Sequence, residues 1–237
     1  MYKPTVRNDV FVRLLGVLFL LGAVASARAQ EAQTSYPTMA PIEQYRVASS
    51  SDEKAMALSA APASISRDAD VLVLESQGYE AVQKGKNGFV CLVERSWAND
   101  PKDAEFWNAK IRAPMCLNAA AARSVLPEYL ERTKWILAGV SKDKVLERLK
   151  LAIAKKIIAA PEQGSMCYMM SKQGYLSDAA GHWHPHLMFF LPPTDSATWG
   201  ANLPDSPLIA IQGDPEPVTV FLTAVMNWSD GTPAHVD

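Results

Sequence analysis

The sequence predicts an α+β fold, with an N-terminal β-meander, central helices and C-terminal antiparallel strands in one domain. Three observations carry that expectation. Short apolar runs bounded by turn residues cluster over 71–97 and again over 166–225. Between them, over 119–159, the apolar residues recur with helical period. Strands that are grouped, rather than alternating with helices, point away from a doubly wound sheet.

The chain opens with an export signal. Lys3, Arg7 and Arg13 precede the apolar run Leu14 to Ala25, and Ala27-Arg28-Ala29 puts small residues where a signal peptidase reads. Residues 1–29 are therefore expected to be a cleaved leader. The run is about a dozen residues, short of the ~20 that span a bilayer. No stable membrane anchor is expected after cleavage, and the protein is expected to be periplasmic or secreted. Residues 30–62 read as a flexible arm with a short helix over Asp52 to Ala61, stopped by Pro62. Residues 63–237 read as the globular domain.

Val71 to Leu74 is the first strand, Ser76-Gln77-Gly78 a turn and Tyr79 to Gln83 the second strand. Asn87-Gly88 is a hairpin signal leading to Phe89 to Val93, whose continuous apolar run implies burial on both faces. Glu94 and Arg95 close this strand and read as an ion pair. Ala119 to Tyr129 is helical with a kink near Pro127, and the helix continues to Ala138 before Gly139. Ser141 is an N-cap for a helix from Lys142 to Ala159, with Val145, Leu146, Leu149, Ile153, Ile157 and Ile158 as its apolar stripe. Met166 to Met170 and His184 to Leu191 are strands. Leu208 to Ile211 and Val218 to Val225 pair about the Gly213-Asp214-Pro215 turn.

Composition bounds the function. Apolar residues are 49 % and charged residues 20 %, ordinary for a chain that buries a core. The net charge is −2, and the leader holds Lys3, Arg7, Arg13 and Arg28 against Asp9. The mature part is more acidic still, which leaves no footprint for nucleic acid. Cys91, Cys116 and Cys167 allow one disulfide and one remaining thiol, and three pairings stay open. No phosphate-binding loop, dinucleotide fingerprint, nucleophile elbow or His-Glu-x-x-His motif is present.

One segment concentrates chemistry. His182, His184 and His186 alternate with Trp183 and Pro185. On an extended chain they share one face, with neighbours roughly 6.6 Å apart and the outer pair about 13 Å apart. Imidazole suits transition metals, so these three residues are candidate ligands, with zinc or copper as the candidate ion. Asp178 is a candidate fourth ligand that leans toward zinc, whereas Cys167, Met166, Met169 and Met170 lean toward copper. The alternative is structural, with histidines lining a polar groove or bonded at a sheet rim. The reading is thus of an exported metal-binding module, with a metal-dependent hydrolase as alternative; Asp178 and Glu94 are the acids nominated as its base. Trp183, Trp199 and Trp228 read as packing residues, or as a ligand-groove wall. From His182 to Met188 the spacing also resembles the His-φ-His-φ-His-φ-φ signature of the histidine-triad nucleotide hydrolases. That resemblance puts His184 at the nucleophile position and departs at Pro185, where the signature has an apolar strand residue.

Overall fold

The computed structural model describes residues 36–181 and 183–234. The expected leader and His182 lie outside the described residues. Eight strands form one mixed sheet: β1 (Asp70–Glu75), β2 (Gly78–Gln83), β3 (Val90–Glu94), β4 (Ala113–Leu117), β5 (Met166–Met169), β6 (His186–Leu191), β7 (Leu208–Gln212) and β8 (Thr219–Ala224). Their order is β2-β1-β3-β4-β5-β6-β8-β7. The helices are α1 (Ser50–Leu58), α2 (Ala63–Ser66), α3 (Ala119–Ser124), α4 (Leu126–Leu137) and α5 (Lys142–Ala154). Strands lie at both ends of the chain with α3 to α5 between them, as an α+β protein requires.

Side-chain alternation gives the sheet two apolar faces. Val71, Cys91, Val93 and Cys116 pack with Ala57 and Ala60, in and just after α1. Leu92, Met115, Leu117 and Cys167 pack with Ala121, Val125 and Leu126 of the α3–α4 region. Adjacent residues of one strand thus serve different layers. A third cluster joins α4 and α5 through Ile136, Val145 and Leu149 to Tyr45, Trp97, Phe106 and Trp107.

Packing begins ahead of residue 63. Tyr45 and Ala57 are fully buried, and Ser49 caps α1 by accepting the N–H of Asp52 at 3.1 Å. The stretch expected as a loose arm thus supplies one side of the core from at least Tyr45 onward. The reason is tertiary. Small alanines let α1 lie close to the sheet, and Glu53 anchors it to β1 by accepting the Leu74 N–H at 3.0 Å.

The expected hairpin at Asn87-Gly88 does not form between the second and third strands. β3 instead pairs in parallel with β1, Asp70 to Val90 and Val71 to Cys91. The connecting segment is tied back beneath the start of β1. Gly85 N–H donates to Asp70 Oδ1, Lys86 N–H to the Asp68 carbonyl and Asn87 Nδ2 to the Ile65 carbonyl. A Cβ on Gly85 would stand 2.3 Å from the backbone of Asp68 and Ala69, so this crossing requires glycine. Elsewhere the helix expected over Ala119 to Ala138 breaks at Val125, just before Pro127, into α3 and α4. The helix expected to Ala159 ends at Ala154, and Lys156 beyond it has φ +59°.

Register selects among the three cysteine pairings. Cys91 and Cys116 stand directly opposite each other on the antiparallel pair β3–β4 and form the disulfide. Cys167 is a buried free thiol on the other face of the sheet. At the far edge Asn202 binds β7 as another strand would. Its Nδ2 donates to the Ala210 carbonyl and its Oδ1 accepts the Ala210 N–H, both at 2.9 Å. That blocks part of an edge that otherwise invites pairing with a second chain.

Candidate functional site

β6 starts at His186, so His184 precedes the ladder rather than lying within it. His184 is exposed, whereas His186 is partly buried. The Trp183 ring meets the His186 ring edge-on, at 5.4 Å between centroids. Trp183 is itself buried, donates Nε1–H to the Ser171 carbonyl at 2.8 Å, and lies so close to Gly174 that a Cβ there would stand 2.2 Å from the indole. A rigid aromatic wall therefore backs the histidine segment.

The Nδ1 of His186 lies 2.8 Å from the His184 carbonyl. A carbonyl only accepts, so Nδ1 carries the proton. Burial lowers the pKa of His186 below the ordinary histidine value, which favours the neutral ring. The neutral Nδ1–H tautomer leaves the lone pair on Nε2. Across the ladder Met169 stands directly opposite His186 on the antiparallel strand β5.

Asp178 anchors a hydrogen-bond network of its own. Its carboxylate accepts from Tyr36 Oη at 2.5 Å, Tyr175 Oη at 2.6 Å, Lys110 Nζ at 2.9 Å and Asn108 Nδ2 at 3.2 Å. These bonds tie residues 36, 108–110 and 175–178 together. Among the described residues no group of three or more His, Cys, Asp or Glu has a geometry that would hold a metal ion. His182 lies outside the described residues.

Glu94 and Arg95 do not pair with each other. Glu94 ends β3 and Arg95 follows it in extended backbone, so the two side chains point to opposite faces. Arg95 faces α1 and forms an ion pair with Glu53 at 2.8 Å, with both side chains almost wholly buried. Its Nε also donates to the Tyr45 carbonyl at 2.6 Å. Glu94 faces α4 and enters a second charged cluster.

That cluster centres on Arg132, a charge on the buried face of α4. Its Nη1 donates to the carbonyls of Trp97, Ala98 and Asn99 at 3.2, 3.0 and 2.8 Å. Its Nη2 donates to both Glu128, one turn earlier, and Glu216, in the β7–β8 turn. Two carboxyls on one guanidinium nitrogen repel each other. Burial, together with Glu216, raises the pKa of Glu128 to about 7 despite the attraction of Arg132. Burial pushes Glu94 up to about 8. Its Oε1 and the Nε of Arg132 are buried without a hydrogen bond. Carboxyls tuned toward neutrality beside a cavity make this cluster a candidate site. Sequence reasoning nominated Glu94 but missed Arg132, Glu128 and Glu216. Only Glu128 and Arg132, at the ion-pair spacing i, i+4, left a local trace.

Compared with protein-family models, curated proteins and solved structures, the chain matches none. The residues themselves must carry any functional reading. Trp199 is half exposed and stacks on Phe221 at 4.9 Å, and Trp228 packs against the α3–α4 core.

Proposed function

We propose that the protein is an exported transition-metal-binding protein of the periplasm or extracellular space, using the His182–His186 segment. One observation carries the metal reading. His186 is held as a neutral ring with Nδ1–H on a backbone carbonyl, the arrangement by which metal-ligating histidines are commonly oriented through their second nitrogen. His184 is exposed two residues before it and His182 two further in sequence. Met169 opposite His186 adds a soft thioether, which favours copper over zinc. The export reading rests on the leader sequence, and the Cys91–Cys116 disulfide is compatible with an oxidising compartment. The hydrolase alternative needs a carboxylate base beside the metal, and the Asp178 carboxylate already accepts four hydrogen bonds.

Metal analysis of the untagged mature protein, with titration of copper and zinc, tests this. About one equivalent is expected, lost in both His184→Ala and His186→Ala. His184 is exposed, so the first substitution leaves the fold intact. A metal-free protein with no thermal shift on adding copper, zinc or nickel would end the reading.

A further inference from the structure

Beside Arg132 the chain encloses an inner cavity of about 10 Å³, on which Glu94, Arg132 and Thr133 border, with Trp97 and Tyr79 as aromatic walls. That matches the ~10–15 Å³ of open space that one water molecule needs, and it is too small for an organic ligand.

Two groups at this cavity leave a hydrogen bond unmade. Arg132 uses both terminal nitrogens, Nη1 on three backbone carbonyls and Nη2 on Glu128 and Glu216, while its Nε–H has no acceptor. Glu94 Oε1 has no donor. The two residues are 2 % and 8 % exposed, so bulk solvent does not supply the partner. Leaving a buried polar group unbonded costs about 1–3 kcal/mol, and more for a charged one. The charge of Arg132 reaches Glu94 and draws its pKa down against the larger, opposite effect of burial, so the two lie near each other without a direct bond. Thr133 adds a third group. Its hydroxyl accepts the Trp97 Nε1–H at 3.0 Å and has its own proton to donate.

The signs of these groups select the occupant. A cation would face the guanidinium, and an anion would face the Glu94 carboxyl. A neutral molecule that both donates and accepts suits all three groups. We propose that the inner cavity binds one ordered water molecule, which accepts from Arg132 Nε–H and the Thr133 hydroxyl and donates to Glu94 Oε1. Three hydrogen bonds are the usual complement of a buried water. The water links β3 to α4 through Glu94 and Arg132. The site is independent of the histidine segment and of any metal there.

Nuclear magnetic resonance of the mature protein tests the proposal, with the Arg132 Nε–H signal as reporter. A long-lived water beside that proton gives cross-peaks of opposite sign in NOE and ROE spectra at the water frequency, whereas proton exchange with solvent gives the same sign. Opposite signs are expected. Glu94→Gln retains an acceptor oxygen and should retain the cross-peaks. Glu94→Leu removes the acceptor and should abolish them. A crystal structure of the natural protein at atomic resolution reads the same site without a variant. It should show one density peak within hydrogen-bond distance of both Glu94 Oε1 and Arg132 Nε. Missing cross-peaks in the natural protein, or cross-peaks that persist in Glu94→Leu, overturn the proposal. So does density in which Glu94 bonds Arg132 Nε directly, or in which the cavity is empty.

Discussion

At Arg95 the chain buries a full charge and answers it with another. The guanidinium is fully enclosed, Glu53 is 3 % exposed, and the pair bridges β3 to α1. Two charges taken out of water cost several kcal/mol each, so such a pair adds little net stability over apolar residues of the same shape. Removing one partner is different, because the other remains buried and uncompensated. Glu53→Gln keeps the shape, yet is expected to cost about 3–5 kcal/mol in urea denaturation. A loss below about 1 kcal/mol would mean that water reaches Arg95. Extended backbone puts Glu94 and Arg95 on opposite faces, and although the two were expected to pair with each other, that divergence was readable from strand alternation. The identity of each partner was not, since Glu53 lies 42 positions from Arg95 in the chain.

At the scale of elements, β3 and β4 are interior strands of the sheet and the disulfide joins them. Cys91 and Cys116 are 25 positions apart. Closing a loop of that length removes chain entropy from the unfolded state, worth about 3 kcal/mol. The double variant Cys91→Ala/Cys116→Ala is expected to lose about that much in chemical denaturation. A thiol titration of the intact protein should find none accessible under native conditions and one per chain after denaturation, from Cys167. Three thiols after denaturation without reductant would refute the pairing. The three cysteines were visible as strand residues, but pairing needs register, and register belongs to two strands together. The reversal of β3 has the same origin. An Asn-Gly step permits a hairpin, but the hydrogen bonds of residues 84–89 to 65–70 hold the chain on the other side of β1.

Across the whole molecule, stability should respond to pH through the carboxyls around Arg132. Glu94 and Glu128 titrate near 8 and 7 when folded, above the unfolded value of about 4.3. The folded state therefore keeps protons that the unfolded chain has lost. Their contribution is complete below about pH 4 and declines as pH rises, until it is gone above pH 8. The slope is at most about tenfold in the folding equilibrium constant per pH unit for each group. Urea midpoints measured from pH 5 to 8 should fall more steeply for the natural protein than for Glu94→Gln, which cannot ionise. Parallel profiles would show that Glu94 is already charged at pH 5.

Local order was written in the residues. Val145 and Leu149 place the buried stripe of α5, Pro62 follows the α1 helix and its turn, and alternating apolar residues mark the strands of the sheet. These features depend on neighbours within a few positions, where period and turn chemistry act directly. The histidine segment was visible for the same reason, although its strand begins two residues later than alternation suggested. Which elements meet was open until the chain packed. Several pairings of the same amphipathic strands bury similar apolar area, and the choice rests on crossings such as the one Gly85 permits. The site around Arg132 was hidden for that reason. Glu94 comes from β3, Arg132 and Glu128 from α4, and Glu216 from a turn 84 positions beyond Arg132. No sequence period links them, and only the closing of α4 onto the sheet brings three carboxyls to one guanidinium.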